Sequence, residues 1–204
     1  MCSSLELVLD HSALIPCGDK PEEEKQAIRK LGDILPSINI TWYVTGKYIK
    51  HTQSTLGRKL EEHHPLPKLQ SSLQRALWEL LKLTRNRIYH CKSLPLSSNG
   101  EVRLKLHVLS RNAYNDLGQR GPKLYDTLNE FRNKYGIGGE DVEVVSIALL
   151  ASIRTRSTVT LVTVDRGIIE VVEELKRRLG SLSEVNYLRL ERPSELLARI
   201  NCTK

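Results

Sequence analysis

The chain has 204 residues, of which 40% are hydrophobic and 27% are charged, and its formal net charge is +7. This composition supports one folded domain over residues 1–204 with an insertion at about 63–135, and the positive charge favours polyanionic partners. No run approaches the roughly 18 consecutive apolar residues of a membrane span, so an integral membrane protein is excluded.

The N-terminus and the cysteines bear on location. Residues 1–9 carry neither a basic segment nor a signal-cleavage site, so we expect a cytoplasmic protein without a membrane partner. The four cysteines are scattered and form no CxxC pair: Cys2, Cys17, Cys91 and Cys202. A zinc site is therefore not predicted, and the pairing of these cysteines in disulfides stays open.

The first third of the chain predicts alternating strands and helices. Residues 5–9 are an apolar, β-rich strand that ends at Asp10. A helix is expected over 21–33, because a proline and three glutamates occupy its first turn. A second strand over 38–44 and a second helix over 45–60 follow.

The predicted insertion contains a loop and a strand. Residues 93–100 are rich in Pro, Ser, Asn and Gly, which is typical of a loop. Strict alternation over 101–108 predicts a strand with one exposed face, paired with 88–92 in a small hairpin.

Helical periodicity dominates the rest of the insertion. Amphipathic helices are expected over 69–83 and 123–135. The wide leucine face of the first helix is consistent either with packing against the second or with a homo-oligomer that forms through the insertion.

The last third of the chain again alternates helix and strand. The expected helices are 140–153, 167–179 and 193–200, and the expected strands are 158–164, which ends at Asp165, and 184–190. This order predicts an α/β fold, a three-layer sandwich with a mainly parallel sheet.

The predicted fold would bring three aspartates together as a candidate site. Asp10 and Asp165 end predicted strands, where parallel sheets bind ligands, and Asp141 lies in the first turn of an apolar helix. Such a carboxylate cluster would require Mg²⁺ or Mn²⁺ and would suit phosphodiester hydrolysis. Alternatively, Asp141 is an ordinary acid at a helix N-terminus, and the other two are turn-forming residues. Their joint placement favours the metal site.

Three segments resemble motifs of PIN-domain nucleases. They are Leu-Val-Leu-Asp-His-Ser-Ala-Leu-Ile at 7–15, Glu-Asp-Val-Glu at 140–143, and Leu-Val-Thr-Val-Asp-Arg-Gly-Ile at 161–168. The resemblance implies a PIN-like sheet and a metal-dependent endoribonuclease with Asp10, Asp141 and Asp165 as catalytic metal ligands. Within these nucleases, the chain is most similar to the RNA-free ribonuclease P family, also called RNA ligase partner proteins. That similarity implies structured RNA or a tRNA precursor as substrate.

The chain departs from the PIN pattern after the second strand. The glutamate expected there falls on Lys50 or His51, which leaves Glu143 as a replacement metal ligand. His51 is interpreted either as a metal ligand or proton shuttle, or as an ordinary surface histidine. The departure also supports an alternative function, a catalytically weakened module that binds nucleic acid or a protein.

Four residues around the motifs are expected to bind RNA. They are Ser12, Lys47, Lys50 and Arg166.

Overall fold

The computed structural model describes residues 4–16, 18–35, 38–52, 93–95 and 104–202. Within this part of the chain, six strands form one sheet: β1 Leu5–Leu9, β2 Ile40–Thr45, β3 Ser93–Pro95, β4 Leu104–Ser110, β5 Val159–Val162 and β6 Leu188–Glu191. Their order is β3-β4-β2-β1-β5-β6. The predicted helix at 69–83, the hairpin partner at 88–92 and the proposed oligomer contact lie outside the described residues.

Five of these strands are parallel, which confirms the predicted α/β fold. Strand β1 pairs with β2 on one side and with β5 on the other, whereas the short β3 pairs antiparallel with β4. The strand order therefore reverses at β1, and the carboxyl ends of β1 and β5 border a crevice of the kind in which open α/β sheets bind ligands. The three-layer arrangement stays a prediction.

Helices connect the strands. They are α1 Glu22–Ile34, α2 beginning at residue 46 and described to residue 52, α3 Ala113–Arg120, α4 Pro122–Tyr135, α5 Gly139–Thr155, α6 Arg166–Leu179, α7 Ser183–Asn186 and α8 Pro193–Cys202, with a 3₁₀ turn at His11–Ala13. Among the described residues, none of these helices is both long and apolar enough to cross a membrane.

Helix α5 lies at the centre of the core. All of its residues from Val142 to Ser152 are buried, and they contact strands β1, β2 and β5. Within these strands, Leu7 and Val162 are fully buried. Each such apolar side chain contributes about 1.5–3 kcal/mol when removed from water. The extensive burial of α5 fixes its N-terminal turn, and with it Asp141, relative to the sheet.

The predicted insertion contributes to the same sheet. Strand β4 pairs in parallel with β2 along most of its length, and on its other side it pairs antiparallel with β3. The prediction of a loop at 93–100 is wrong for Ser93–Pro95, which forms the edge strand. A proline is compatible with this position because an edge strand needs no donor on its outer side.

Two further elements differ from the sequence prediction. Helix α3 was not predicted, because Asn115, Asp116 and Gly118 are residue types typical of turns; the Asn112 side chain caps this helix. The strand predicted to begin at residue 184 begins at Leu188, opposite Val159. Strand β5 itself begins at Val159, so the preceding residues have no partner there and form the short α7.

Candidate active site

Asp10 is held tightly at the carboxyl end of β1. Its side chain is buried, at 5% exposure. The Oδ2 atom accepts hydrogen bonds from the backbone N–H of Ser12 at 3.1 Å, from the Ser12 hydroxyl at 2.5 Å and from the Thr163 hydroxyl at 2.9 Å. A buried carboxylate needs such donors to replace lost water. Local structure therefore fixes both the position and the orientation of Asp10.

The same hydroxyl groups join the ends of β1 and β5. The fully buried Thr163 accepts a hydrogen bond from the Asp165 N–H at 2.9 Å, while it donates to Asp10. The Ser12 hydroxyl accepts one from the Val164 N–H at 3.0 Å. Asp10 and Asp165 are thus linked through one buried threonine, and their spacing is set by the sheet.

Asp165 is the N-cap residue of α6. Its Oδ1 accepts a hydrogen bond from the Ile168 N–H at 3.1 Å, and its backbone is extended, as expected for a cap. Its Oδ2 makes no hydrogen bond within the described part of the chain. The predicted turn-forming role is therefore real, and it leaves one carboxylate oxygen available.

Asp141 completes the group from the first turn of α5. Burial and, after it, the negative charges of Asp165, Asp10 and Glu140 together raise its pKa to about 6, while a backbone hydrogen bond from Gly138 acts in the opposite direction. An isolated acid at a helix N-terminus is stabilised in its charged form by the helix dipole. The raised pKa shows that burial and repulsion outweigh the dipole, so the three predicted aspartates lie in one electrostatic neighbourhood.

Glu140 is an acid near this group that the sequence analysis did not select. Its carboxylate contacts His51 Nδ1, and His51 is one of the two positions where the PIN pattern expects a glutamate. Glu140 lies beside Asp141, and its charge raises the pKa of Asp141. The other position, Lys50, is exposed. A glutamate from α5 therefore contacts the histidine that stands at one of these two positions on α2.

A cluster of aromatic rings supports Asp10 from the side of α2. The His11 ring stacks on Tyr48 and meets His51 edge-on, both at 4.7 Å between centroids. The Tyr48 hydroxyl donates a hydrogen bond to the Leu9 carbonyl at 2.5 Å. Burial, and to a smaller extent the negative charge of Asp10, raise the pKa of Tyr48 far above its ordinary value. Tyr48 therefore remains a neutral donor. Sequence periodicity alone gives no signal for these contacts.

Glu143 is engaged by a different set of groups. It is 1% exposed, and it accepts hydrogen bonds from the Thr45 hydroxyl at 2.7 Å, the Ala113 N–H at 2.8 Å and the Tyr114 N–H at 3.2 Å. It thus satisfies the first amides of α3 and ties them to β2. Its assignment as a metal ligand stays a prediction, and coordination would require some of these bonds to be exchanged.

The four residues expected to bind RNA fall into two groups. Ser12 is occupied by the hydrogen bonds described above, and the Lys47 ammonium donates to the Gly139 carbonyl at 3.0 Å. In contrast, Lys50 and Arg166 are exposed, and Arg166 directly follows Asp165. Contact with RNA stays a prediction for all four.

The donors at the site suit a hard divalent cation in their chemistry. Carboxylate oxygens are the ligands that Mg²⁺ and Mn²⁺ prefer, and the repulsion felt by Asp141 is of the kind that such a cation offsets. As placed, no group of three or more His, Cys, Asp or Glu side chains within the described residues is arranged to hold a metal ion. The metal assignment therefore rests on the type and convergence of the donors.

Comparison of the chain with protein-family models, with curated proteins and with solved structures found no match. The resemblance to PIN nucleases thus rests on the motif residues themselves and stays a prediction.

Proposed function

We propose that the chain is a divalent-metal-dependent endoribonuclease that hydrolyses phosphodiester bonds in RNA. The observation that carries the proposal is electrostatic: Asp10 and Asp165 follow β1 and β5, where the strand order reverses, and their charges raise the pKa of Asp141. Two of these acids are linked through Thr163, and the third is fixed by the buried helix α5.

In this proposal the three aspartates would hold Mg²⁺ or Mn²⁺, which when bound supplies Lewis acidity to a phosphoryl oxygen and activates water. Asp10 and Asp165 are oriented in advance by their hydrogen bonds, so little side-chain freedom is lost on binding. Preorganised charge of this kind is a major source of catalysis in polar sites.

The choice of RNA as substrate rests on charge and on the motif resemblance. The net charge of +7 favours a polyanion. Arg166 is exposed directly beside Asp165, and Lys50 is exposed beside His51, so cationic side chains border the acidic group. A tRNA precursor is the structured RNA to test first, because the motifs are most similar to those of RNA-free ribonuclease P proteins.

Cleavage of a labelled tRNA precursor tests the proposal. Asp10→Asn and Asp165→Asn should each lower the Mg²⁺- or Mn²⁺-dependent rate on the order of 100-fold or more, because each removes a charged ligand. Asp116→Asn is the matched control, since it removes the same charge from a residue in the first turn of α3 that is not among the three proposed ligands. Wild-type rates in both site variants would show that the aspartates are not catalytic.

A second candidate is a non-catalytic module that binds nucleic acid or a protein. It is favoured by Lys50 and His51 at the positions where an acid is expected, and by the pairing of His51 with Glu140. This candidate predicts no heat of Mn²⁺ binding in isothermal titration at neutral pH, together with RNA binding that weakens steeply with salt. Mn²⁺ binding that is lost in Asp165→Asn would exclude it.

A further inference from the structure

A cavity lies next to the acidic group, between the C-terminal end of α4 and the first turns of α6. Its volume is about 270 Å³, and Phe131, Ile137 and Val171 form its apolar wall, with Tyr135 and Glu170 also lining it. Pockets for drug-sized ligands begin at about 300 Å³. The cavity is thus suited to one flat ring system with an apolar face.

Tyr135 gives this cavity an exposed aromatic surface. It is 54% exposed, the largest exposure of a large hydrophobic residue in the described part of the chain. The Lys134 ammonium lies 5.1 Å from its ring centroid, and the centroid of the Phe131 ring lies 5.9 Å from it. An exposed ring beside a cation is the combination on which unpaired nucleobases stack in single-stranded RNA complexes.

Glu170 gives the cavity an open pair of acceptors. It is exposed and makes no hydrogen bond or ion pair with any residue that the structure describes. The neighbouring Glu174 is instead occupied by Arg177 and Arg178, each at 2.6 Å. Two carboxylate oxygens match two adjacent N–H donors. Guanine presents such a pair on its Watson–Crick edge, whereas adenine and cytosine place an acceptor beside their amino group.

The cavity and the acidic group share a wall at Gly167. Gly167 lines the cavity, and a Cβ atom added to it would lie 3.2 Å from Oδ1 of Asp165. A nucleotide with its base in the cavity would therefore extend its backbone toward Asp165 and the adjacent Arg166.

We propose that this cavity binds a guanine base of single-stranded RNA, which stacks on Tyr135 and donates its N1–H and N2–H groups to Glu170. The proposal deepens the proposed function and rests on it for the choice of RNA, since it assigns a nucleotide preference beside the site of cleavage. Lys134 and Arg166 then lie where they can contact the flanking phosphates.

Binding without cleavage tests this assignment. The probes are a fluorescent oligouridylate that carries a single guanosine and the same strand with adenosine in its place, and both are measured by anisotropy in EDTA. The wild type should bind the guanosine strand about tenfold more tightly, because a bidentate pair discriminates by that order. Equal affinity for the two strands, or no binding of either, overturns the proposal.

Three variants connect the preference to the cavity. Tyr135→Ala should weaken binding of the guanosine strand about five- to 100-fold, whereas Tyr135→Phe should retain it, because stacking needs only the ring. Glu170→Gln should abolish the preference for guanosine. Glu173→Gln removes the same charge from an exposed position of the same helix and should leave the preference unchanged. Wild-type discrimination in Glu170→Gln or wild-type affinity in Tyr135→Ala also overturns the proposal.

The two proposals fail in different ways. If only the nuclease proposal is wrong, guanosine preference and its dependence on Tyr135 and Glu170 persist in EDTA, while no metal-dependent cleavage occurs. If only the guanine site is wrong, cleavage still depends on Asp10 and Asp165, while the Tyr135 and Glu170 variants bind like the wild type.

Discussion

Replacement of Asp141 by asparagine should stabilise the protein at neutral pH. In the folded state burial and the charges of Asp165 and Asp10 raise the pKa of Asp141 from 3.8 to about 6. Between these two values the folded protein binds more protons than the unfolded chain, so the free energy of unfolding falls as pH rises. Above about pH 6 Asp141 is charged in the folded protein, and the free energy of unfolding is lowered by the full cost of that charge. The asparagine variant has no charge at this position and avoids the cost.

The magnitude follows from the same shift. A difference of about two pKa units corresponds to roughly 3 kcal/mol, and partial exposure of Asp141 with solvent screening reduces this to about 1–2 kcal/mol. We therefore expect a net gain on the order of 1 kcal/mol, which raises Tm by about 2–4 °C in a chain of this size.

Thermal and urea unfolding without divalent metal, at about pH 7.5 and at about pH 4, measure this effect. The stabilisation should be present at the higher pH and nearly absent at the lower one, where folded Asp141 is protonated. Asp116→Asn serves as the control, because it removes an acid from the first turn of α3 and should only destabilise. If Asp141→Asn also destabilises at the higher pH, Asp141 is an ordinary helix N-terminal acid and the electrostatic grouping is wrong.

Three further substitutions test other parts of the site. Thr163→Val removes a buried donor to Asp10 and should lower the free energy of unfolding by about 1–3 kcal/mol in urea titrations. Glu143→Gln places an amide against backbone and hydroxyl donors, so it should cost about 2–4 kcal/mol by the same measurement, and a cost below about 0.5 kcal/mol would contradict the observed bonding. Glu140→Gln should lower the pKa of Asp141 only slightly, as followed by carboxyl chemical shifts, because Glu140 is half exposed and is the weakest of the charges that raise this pKa.

The elements with strong local signals could be predicted from the sequence. The run Leu5–Leu9, which ends at Asp10, and the β-branched run before Asp165 place both acids at strand ends, and the parallel sheet then brings them together. The edge strand Ser93–Pro95 could not be predicted in this way, because pairing with β4 determines its conformation more than its own residue types do. Helix α3 could not be predicted for the same reason, because its first amide groups donate hydrogen bonds to Glu143, about 30 residues away in sequence.

The site shows a similar division between local and tertiary information. Motif spacing identified Asp10, Asp141 and Asp165, yet it could not show that Glu140 pairs with His51. That contact depends on how α2 and α5 meet, and neither helix encodes it alone. The signal was nonetheless present as a discrepancy, since a histidine stood where an acid was expected and an unassigned acid lay beside Asp141.

Structural and catalytic roles for these aspartates are compatible, because each carboxylate has two oxygens. Asp10 uses Oδ2 for all three of its hydrogen bonds, and its Oδ1 has only a 3.9 Å approach from His11 Nδ1 within the described residues. Asp165 uses Oδ1 to cap α6 and keeps Oδ2 unbonded in the same part of the chain. A role in turn formation alone does not explain why Asp141, whose negative charge is repelled by those of Asp10 and Asp165, lies so near them. We propose that the hydrogen bonds at Asp10 and Asp165 position two carboxylates near a third. The metal-site proposal then requires metal binding by the wild type and its loss in Asp165→Asn.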